Sequence, residues 1–275
     1  MRMSRRAGIY HNGMTFDPVL NNNTWEQIRA ASDRGIASTL WSVGDRKAVT
    51  LNGTVGNFTF SSVGTYAFII GFDHNSSYEG TGRIHFQLAK TALSGGSDVC
   101  FVDSKYTTSV SSTGYFSMNS SNTNSGGWNA SQMRSLLGTS LSSYSGKLIG
   151  ALPSDLRAVL KSVTKYTDNT GNSSTAAANV TATTDYLFLL AEYEVFGSIS
   201  YANSNESAKQ AQYAYYSAGN SKIKYKHNAT TTAAYWWLRS PDASYSNVFV
   251  RVATGGSVSG GYANISLGVA PGFCV

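Results

Sequence analysis

The sequence predicts an α+β protein with short strands, two or three helices and much loop. Gly, Ser, Thr and Asn are abundant while charged residues make up only 13% of the chain, a mixture that favours turns and short elements. Several short runs alternate apolar and polar residues as half-buried strands do, and a few segments have apolar residues at helical spacing. With 275 residues and 41% hydrophobic content, the chain can bury one sizeable core. We therefore expect one domain.

Three segments have the pattern of a helix. We expect helices over residues 24–35, 126–134 and 152–166. Thr24 and Gln27 form a capping box at the start of the first helix. Asn129 has the form of an N-cap for the second, with Gln132 three residues later. Pro153 is typical of a helix start and begins the third.

Four runs have the pattern of a strand. We expect strands over residues 39–51, 66–72 and 83–88, and a central strand followed by a turn over residues 185–196. His85 falls on the polar face of the third run, so we expect it in solvent, without a partner at metal-ligand spacing. Glu192 and Glu194 would share a solvated face of the fourth run.

Two polar segments complete the element prediction. Residues 168–184 contain almost no apolar side chain, which predicts a long exposed loop and not a domain linker. Residues 206–218 predict a short helix. Its three tyrosines, Tyr213, Tyr215 and Tyr216, suit partial burial against the core, with a stacking platform as the alternative.

The formal net charge of +6 does not indicate a nucleic-acid partner. Basic residues are scattered, and the densest run, Lys222, Lys224 and Lys226, alternates with Ile223 and Tyr225 as a strand with one solvated face does. We predict no nucleic-acid binding.

The two cysteines and the chain start constrain the environment of the protein. Cys100 and Cys274 could form one disulfide or be two small buried hydrophobic residues, and we expect two unpaired, buried thiols. Residues 1–6 are basic, but no apolar run of signal-peptide length follows, and no transmembrane stretch occurs. We expect no membrane insertion and no export by a visible signal peptide.

The C-terminal segment has an unusual composition. Lys, Glu, Gln, Met and Trp occupy 30 of the first 241 positions, and none of the last 34. Roughly four would be expected there, so the absence would arise by chance about once in a hundred such segments. These five amino acids are the ones that no codon ending in a pyrimidine encodes, so randomising the first two bases of Asn codons would give such a segment. Selection for small residues in turns is the alternative.

The last forty residues also resemble a known family. They run YWWLRSPDASYSNVFVRVATGGSVSGGYANISLGVAPGFCV. This segment resembles the end of the target (variable) proteins of diversity-generating retroelements, over residues 235–241 and 268–275. Upstream, residues 41–45, 126–128 and 187–196 are similar to the domain of that family, so the resemblance covers about residues 21–275.

The resemblance implies a C-type-lectin-like fold of the formylglycine-generating-enzyme type. It implies an N-terminal segment over residues 1–20 and one domain over residues 21–275, with a variable region at about residues 242–267. The implied scaffold positions are Ala243, Ser244, Ser246, Phe249, Val252, Gly256, Val258, Ala263 and Ser266. The implied variable, ligand-binding positions are Asp242, Tyr245, Asn247, Val248, Val250, Arg251, Ala253, Thr254, Ser257, Ser259, Gly260, Gly261, Tyr262, Asn264, Ile265 and Leu267. Gly255 is assigned to neither set.

Within the variable set, Tyr245, Tyr262 and Arg251 are the expected anchors, because aromatic and Arg side chains dominate binding hot spots. The preceding Trp236 and Trp237 are expected in the core, with a sugar-stacking site as the alternative. Arg239 can hydrogen-bond several carbonyls or a carboxylate at once and so make the frame rigid.

The function expected from these features is ligand binding and not catalysis. We predict a receptor-binding or adhesin-like protein of a phage tail or a cell surface, diversified by a retroelement, with an unknown surface protein or glycan as its ligand. Homo-oligomer formation stays open. No nucleophile–base order and no phosphate-binding loop stands out, so we predict no catalytic residue and no cofactor. The resemblance implies that calcium-dependent sugar binding would need an EPN or QPD tripeptide and a WND tripeptide. None of these occurs in the sequence, so we predict no bound metal. The alternatives are a structural virion or cell-surface protein and an enzyme of the formylglycine-generating type.

Overall fold

The computed structural model describes residues 8–11, 13–106 and 114–275, and within them the chain is a mixed α+β protein, as predicted. The strands are β1 (Ile9–His11), β2 (Met14–Phe16), β3 (Arg46–Val55), β4 (Phe58–Phe72), β5 (Ile84–Lys90), β6 (Val99–Cys100), β7 (Val163–Asp168), β8 (Val180–Asp185), β9 (Leu187–Phe188), β10 (Lys224–Lys226), β11 (Ala229–Ala234), β12 (Trp236–Pro241), β13 (Val248–Val252), β14 (Val258–Tyr262) and β15 (Gly272–Cys274). The basic residues 1–6 lie outside the described part of the chain.

Helices are more numerous and shorter than the two or three expected. In the described residues they are α1 (Trp25–Asp33), α2 (Ala37–Leu40), α3 (Ser76–Glu79), α4 (Gly127–Ala130), α5 (Gln132–Leu137), α6 (Leu148–Ala151), α7 (Ser154–Val159), α8 (Glu192–Phe196) and α9 (Ala214–Ser217). Three 3-10 turns cover Leu20–Asn22, Ala177–Asn179 and Ser204–Ala208. None of the helices in this part of the chain is long and apolar enough to cross a bilayer.

The largest sheet has five strands in the order β3-β4-β5-β15-β9, all antiparallel to their neighbours. Its C-terminal strand β15 is inserted between β5 and β9, where Phe273 pairs with Phe86 on one side and Leu187 on the other. A second sheet, β12-β13-β14, carries the predicted variable region. The chain end is therefore built into the centre of the main sheet.

The expected exposure of His85 is wrong. All seven residues of β5 are buried, because β5 lies between β4 and β15 and both of its faces are covered. The His85 Nδ1 atom lies 3.2 Å from the Tyr213 hydroxyl oxygen and 3.3 Å from the Cys274 sulfur. Alternation with apolar residues here separates two buried faces, not a buried and a solvated one.

The first helix agrees with its sequence signal. The Thr24 hydroxyl accepts a hydrogen bond from the Gln27 N–H and the Gln27 side chain accepts one from the Thr24 N–H, so the predicted capping box is confirmed. Trp25 is buried with its ring against Phe86 and Phe273, at 5.5 and 6.1 Å between ring centroids. Helix α1 thus packs onto the centre of the main sheet.

The other two predicted helices are only partly correct. The cap of the second is Ser131, whose hydroxyl accepts from the Arg134 N–H, while Asn129 lies inside the preceding short helix α4. The third helix ends at Val159 instead of about residue 166. Residues 163–168 form β7, whose Val163 and Lys165 alternate inward because the strand pairs with β8.

The expectation of a loop throughout residues 168–184 is wrong in its second half. Residues 180–185 form β8, which pairs along its whole length with β7. Val180, Thr183 and Asp185 point inward, and the Thr183 hydroxyl donates to the Asp185 carboxylate. Threonine favours strands, and pairing with β7 satisfies the backbone hydrogen-bonding groups of this polar segment.

The prediction of a central strand followed by a turn over residues 185–196 is only partly correct. Asp185 ends β8, Leu187 and Phe188 form β9 at the edge of the main sheet and not at its centre, and helix α8 begins at Glu192 where a turn was expected. Glu192 and Glu194 are fully buried and not solvated. Each carboxylate accepts several hydrogen bonds, which offset the loss of its hydration. Two inward carboxylates of this kind are permitted only when donors surround them.

The tyrosine cluster and the lysine run are more buried than expected. Tyr213, Tyr215 and Tyr216 all belong to the core, and Tyr215 and Tyr216 are residues of helix α9. Strand β10 pairs with β6 on one edge and β11 on the other. Because Lys224 is buried, the lysines of this strand do not share one solvated face. One cluster of buried apolar residues runs from Phe16 to Val275 and includes Leu20, upstream of the predicted domain start at residue 21.

Candidate functional site

The predicted variable region forms a three-stranded antiparallel sheet and the turns at its edges. Strand β13 is the middle strand, with β12 on one side and β14 on the other. Arg251 faces Trp237 across one pairing and Ser259 across the other. Strand β13 is thus held along both edges, and its one partly exposed side chain is that of Arg251.

The turn between β12 and β13 is held by two side chains. The Asp242 Oδ1 atom accepts from the N–H groups of Ser244 and Tyr245, at 2.7 and 3.0 Å. From outside the variable region, the buried Asn124 amide donates to the carbonyl oxygens of Tyr245 and Val248, both at 2.8 Å. Because the Asn124 bonds reach main-chain atoms, the side chains of Tyr245 and Val248 can be exchanged without losing them, whereas exchange of Asp242 would remove its own two bonds.

The turn and the sheet enclose a cleft of about 460 Å³. Its lining residues are Tyr201, Asp242, Tyr245, Asn247, Val248, Arg251, Gly260, Gly261, Tyr262 and Ile265. Nine of these ten were placed in the variable set by sequence. The cleft is therefore made almost entirely of the predicted positions.

Three tyrosines form the rim of this cleft. Tyr245 is 63% exposed, Tyr262 is 53% exposed and Tyr201 is 38% exposed. Large exposed aromatic side chains are uncommon on a protein surface and supply contact area at low entropic cost. Arg251 lies lower, with its guanidinium carbon 4.1 Å from the centroid of the Tyr235 ring.

Tyr201 is the one lining residue that sequence reasoning missed. The buried Glu192 carboxylate accepts hydrogen bonds from the N–H groups of Ser200, Tyr201 and Ala202 and so fixes the loop that carries this tyrosine. Ala243 N–H then donates to the Tyr201 carbonyl at 2.8 Å. No local pattern separates Tyr201 from the other tyrosines, since its place beside the predicted variable region depends on its contact with Ala243, 42 positions along the chain.

Some predicted ligand-binding positions have no surface for a ligand. Val250 and Leu267 are fully buried in the core, and their side chains are not available to a ligand in this structure. Asp242, Val248 and Ile265 are also largely buried and reach only the floor of the cleft. The remaining predicted positions outside the lining are partly or fully exposed on the β13–β14 turn or beside β14, namely Ala253, Thr254, Ser257, Ser259 and Asn264.

The two glycines of β14 lie too close to their neighbours for a larger residue. A Cβ atom at Gly260 would lie 2.8 Å from Val248 Cγ1, and one at Gly261 would lie 2.9 Å from Trp237 Cη2. Real Cβ contacts at these distances require a shift of the neighbour. Gly256, assigned to the scaffold, has a φ of 85°, which favours glycine.

The segment before the cleft is a rigid frame, as expected. Trp236 and Trp237 are fully buried, which overrules a sugar-stacking role for their rings. The Arg239 guanidinium donates to both carboxylate oxygens of Glu194 and to the Leu189 carbonyl. Burial opposes ionisation of Glu194, but the charges of Arg239 and Lys165 outweigh it and hold its pKa below the usual range.

A buried ionic cluster lies beneath this frame. His74, Glu79 and Glu194 bring donor atoms within 4.8 Å of one another, a set that could hold a metal ion. The Lys165 ammonium already lies 2.8 Å from Glu79 Oε2 and 3.1 Å from Glu194 Oε1. Burial raises the pKa of Glu79 to about 7 and lowers that of His74 to about 3. A metal would have to displace the lysine, so the cluster is better described as an internal ion network.

Both cysteines are free and fully buried, which confirms the expectation of unpaired thiols. Burial raises the pKa of Cys100 and of Cys274 to about 12. A thiol reacts as its thiolate, so neither side chain is activated as a nucleophile.

A larger groove of about 720 Å³ lies elsewhere, between α1 and the residues around Arg83 and Lys161. Asp33 forms ion pairs there with Arg29 and Lys161. None of its lining residues belongs to the variable region, so it is a separate surface.

Comparison with known proteins gives one family. No curated protein and no solved structure matches the chain. The family described as Domain of unknown function (DUF6273) matches residues 97–275, which include the cleft and its frame. Since this match covers more than half of the sequence, the chain belongs to the DUF6273 family.

Proposed function

We propose that the protein is a diversified ligand-binding protein, receptor-binding or adhesin-like, with a C-type-lectin-like fold. Its variable residues would be exchanged by a diversity-generating retroelement and would bind a surface protein or glycan at the cleft. It would act on a phage tail or a cell surface, and not as an enzyme. The observation that carries the proposal is the cleft lining, because nine of its ten residues are positions that the family resemblance assigns to the variable set.

The chemistry of the rim supports a binding role. Tyr245 and Tyr262 present their rings to solvent, and Arg251 lies between them and the sheet. Tyr and Arg are the residue types that contribute most to binding at interfaces. The rings of Tyr245 and Tyr262 are more than half exposed, so their area is available to a ligand.

The frame supports diversification. Asn124 holds the main chain of the predicted variable region from outside it, while Glu192 holds the loop of Tyr201 and Arg239 holds the main chain at Leu189. A rigid frame allows side chains to be exchanged without ordering a loop on binding. The proposed contact set is narrower than the sequence prediction, because Val250 and Leu267 are core residues.

A genetic test examines diversification directly. The codons of the exposed variable positions should end in C or T, and a near-identical template with Asn codons and a reverse transcriptase gene should lie nearby. Sequencing the locus in a population should show excess change confined to residues 242–267. A locus without template or polymerase, and without such excess, would contradict the proposal and favour a structural protein.

A binding test examines the face itself. Replacing both Tyr245 and Tyr262 with Ser should weaken binding to a glycan and protein array by at least about tenfold, because hot-spot aromatics contribute on the order of 2 kcal/mol. Tyr10→Ser is the matched control, since Tyr10 is 71% exposed and lies outside the cleft. Identical array profiles for the wild type and the double variant would contradict this placement of the face.

A further inference from the structure

We propose that the cleft receives an acidic side chain of a protein ligand, whose carboxylate pairs with the Arg251 guanidinium. This inference rests on the proposed function, because it names the chemistry of the ligand that the same cleft would take.

The Arg251 guanidinium has unused hydrogen-bond donors. Its Nε and Nη1 atoms are buried, and within the described part of the chain they have no acceptor. Nor does any carboxylate there form an ion pair with this side chain, whereas Arg239 pairs with Glu194 and Lys165 with Glu79. A partly buried cation without a partner is costly, so an anion that enters the cleft gains a strong interaction.

The guanidinium is held in place before a ligand arrives. It stacks over the Tyr235 ring, and the Tyr235 N–H donates to the Tyr106 hydroxyl at 2.8 Å. The pKa of Arg251 is lowered by burial, with the Tyr235, Tyr106 and Tyr201 side chains acting against that effect. A guanidinium stays protonated at neutral pH in spite of such a shift. Its positive charge is therefore fixed at one wall of the cleft.

One carboxylate also lines the cleft, and it does not cancel this charge. Asp242 is 2% exposed, and its Oδ1 atom accepts two backbone N–H bonds. The Asp242 carboxylate is thus held within its own turn and forms no ion pair with Arg251, whose Nε and Nη1 atoms have no acceptor among the described residues. Of the two charged groups of the cleft, the cation is the one without a hydrogen-bond partner in this part of the chain.

The rest of the lining favours a protein over a sugar. Val248, Ile265 and the tyrosine rings give apolar walls, and Asn247 is the one amide of the lining. The planar polar side chains of the lining are Asp242, Asn247 and Arg251, and Asp242 already accepts hydrogen bonds within its own turn, so a sugar would find only two free planar partners. An acidic side chain flanked by apolar residues fits both the cation and the walls, with its carboxylate paired with the guanidinium.

The test uses two acetylated and amidated pentapeptides, which carry either Glu or Gln between apolar residues, with titration by NMR on the full chain. The wild type should bind the Glu peptide about tenfold or more tightly than the Gln peptide, since hydrogen bonds to charged groups contribute about 1.5–3 kcal/mol. Arg251→Gln should lose that preference. The Glu peptide should also raise the melting temperature of the wild type but not of the variant.

Arg157→Gln is the matched control. Arg157 also lies over a tyrosine ring, at 4.3 Å from Tyr144, but it donates to two carbonyl oxygens and lies outside the cleft. This variant should keep the preference for the Glu peptide. Equal binding of both peptides, binding of neither, or a preference that survives in Arg251→Gln would overturn the proposal.

Glucuronic acid serves as the sugar probe in the same titration. If it binds through Arg251 while the peptides do not, the protein source of the carboxylate is overturned. Array profiles that still differ between the wild type and the Tyr245/Tyr262 double variant would leave the proposed function standing in either case.

Discussion

At the residue scale, Lys224 has the least favourable environment of the side chains described above. It is almost fully buried, and its ammonium has no acceptor among the described residues. Its neighbours are the rings of Phe68 and Trp236, at 5.3 and 5.1 Å from the nitrogen to the centroids. Cation–π contact recovers only part of the lost hydration. Burial accordingly lowers the pKa of Lys224 to about 8.

We predict that Lys224→Met stabilises the protein at pH 7, by roughly 1–3 kcal/mol in the free energy of unfolding. The folded pKa of Lys224 is about 8 and its ordinary value is 10.5, so the unfolded chain binds more protons between these pH values. Its destabilising effect is therefore complete below pH 8 and decreases as pH rises toward 10.5. The advantage of the variant should shrink over that window, measured by urea denaturation at several pH values.

Lys222→Met is the control for this experiment. Lys222 is only half-buried, and its ammonium lies 5.6 Å from the centroid of the Phe196 ring. This substitution should change stability little, with no dependence on pH between 8 and 10. A Lys224→Met variant that is less stable than the wild type at pH 7 would show that the lysine charge supports the fold.

At the element scale, β14 is closer to its neighbours than its place in a variable region suggests. A methyl group at Gly261 would meet Trp237 at 2.9 Å and Arg251 Cδ at 3.0 Å. Trp237 is fully buried and its indole N–H donates to the Phe116 carbonyl, so it has little freedom to move. Packing thus limits which residues β14 can accept at Gly261.

We predict that Gly261→Ala destabilises the protein by about 1–3 kcal/mol, the usual effect of overpacking. Gly255→Ala is the matched control, because nothing lies within 4 Å of its added Cβ and its φ is not in the left-handed region. It should be neutral or stabilising by about 0.4–1 kcal/mol. Guanidinium denaturation of both variants measures the difference, and equal stability of the two would refute the packing argument.

At the scale of the whole molecule, the N-terminal helix and the C-terminal strand share one core. Phe273 of β15 stacks on Phe86 of β5 at 5.3 Å, and Trp25 of α1 packs on both rings. The cleft lies on the second sheet, whose buried Trp236 and Trp237 belong to the same apolar cluster. Helix α1, strand β15 and the frame of the cleft therefore share one apolar cluster.

We predict that Phe273→Ala lowers the free energy of unfolding by about 3–5 kcal/mol, as loss of a buried aromatic ring does. Unfolding should stay a single transition, with fluorescence of the tryptophans and far-UV circular dichroism changing together. Leu93→Ala is the control, because Leu93 is half exposed, and it should stay within about 0.5 kcal/mol. Two separate transitions in the wild type would contradict one shared core.

Several features are decided by local chemistry and can be read from the sequence. The Thr24 capping box, the buried Trp236 and Trp237 and the free thiols were all predicted from short stretches of the chain. Such signals are readable because each depends on one short stretch and its periodicity.

Tertiary contacts, and not local sequence patterns, determine which polar residues are buried and which residue completes the lining of the cleft. His85, Glu192 and Lys224 alternate or cluster as surface residues do, yet all are buried. Periodicity indicates that a strand or helix has two faces, while the elements that pack on those faces in the tertiary structure decide whether both are covered. Tyr201 could not be predicted as a lining residue for the same reason. Its position depends on the Glu192 carboxylate and on a long-range contact with Ala243, and neither leaves a local sequence pattern.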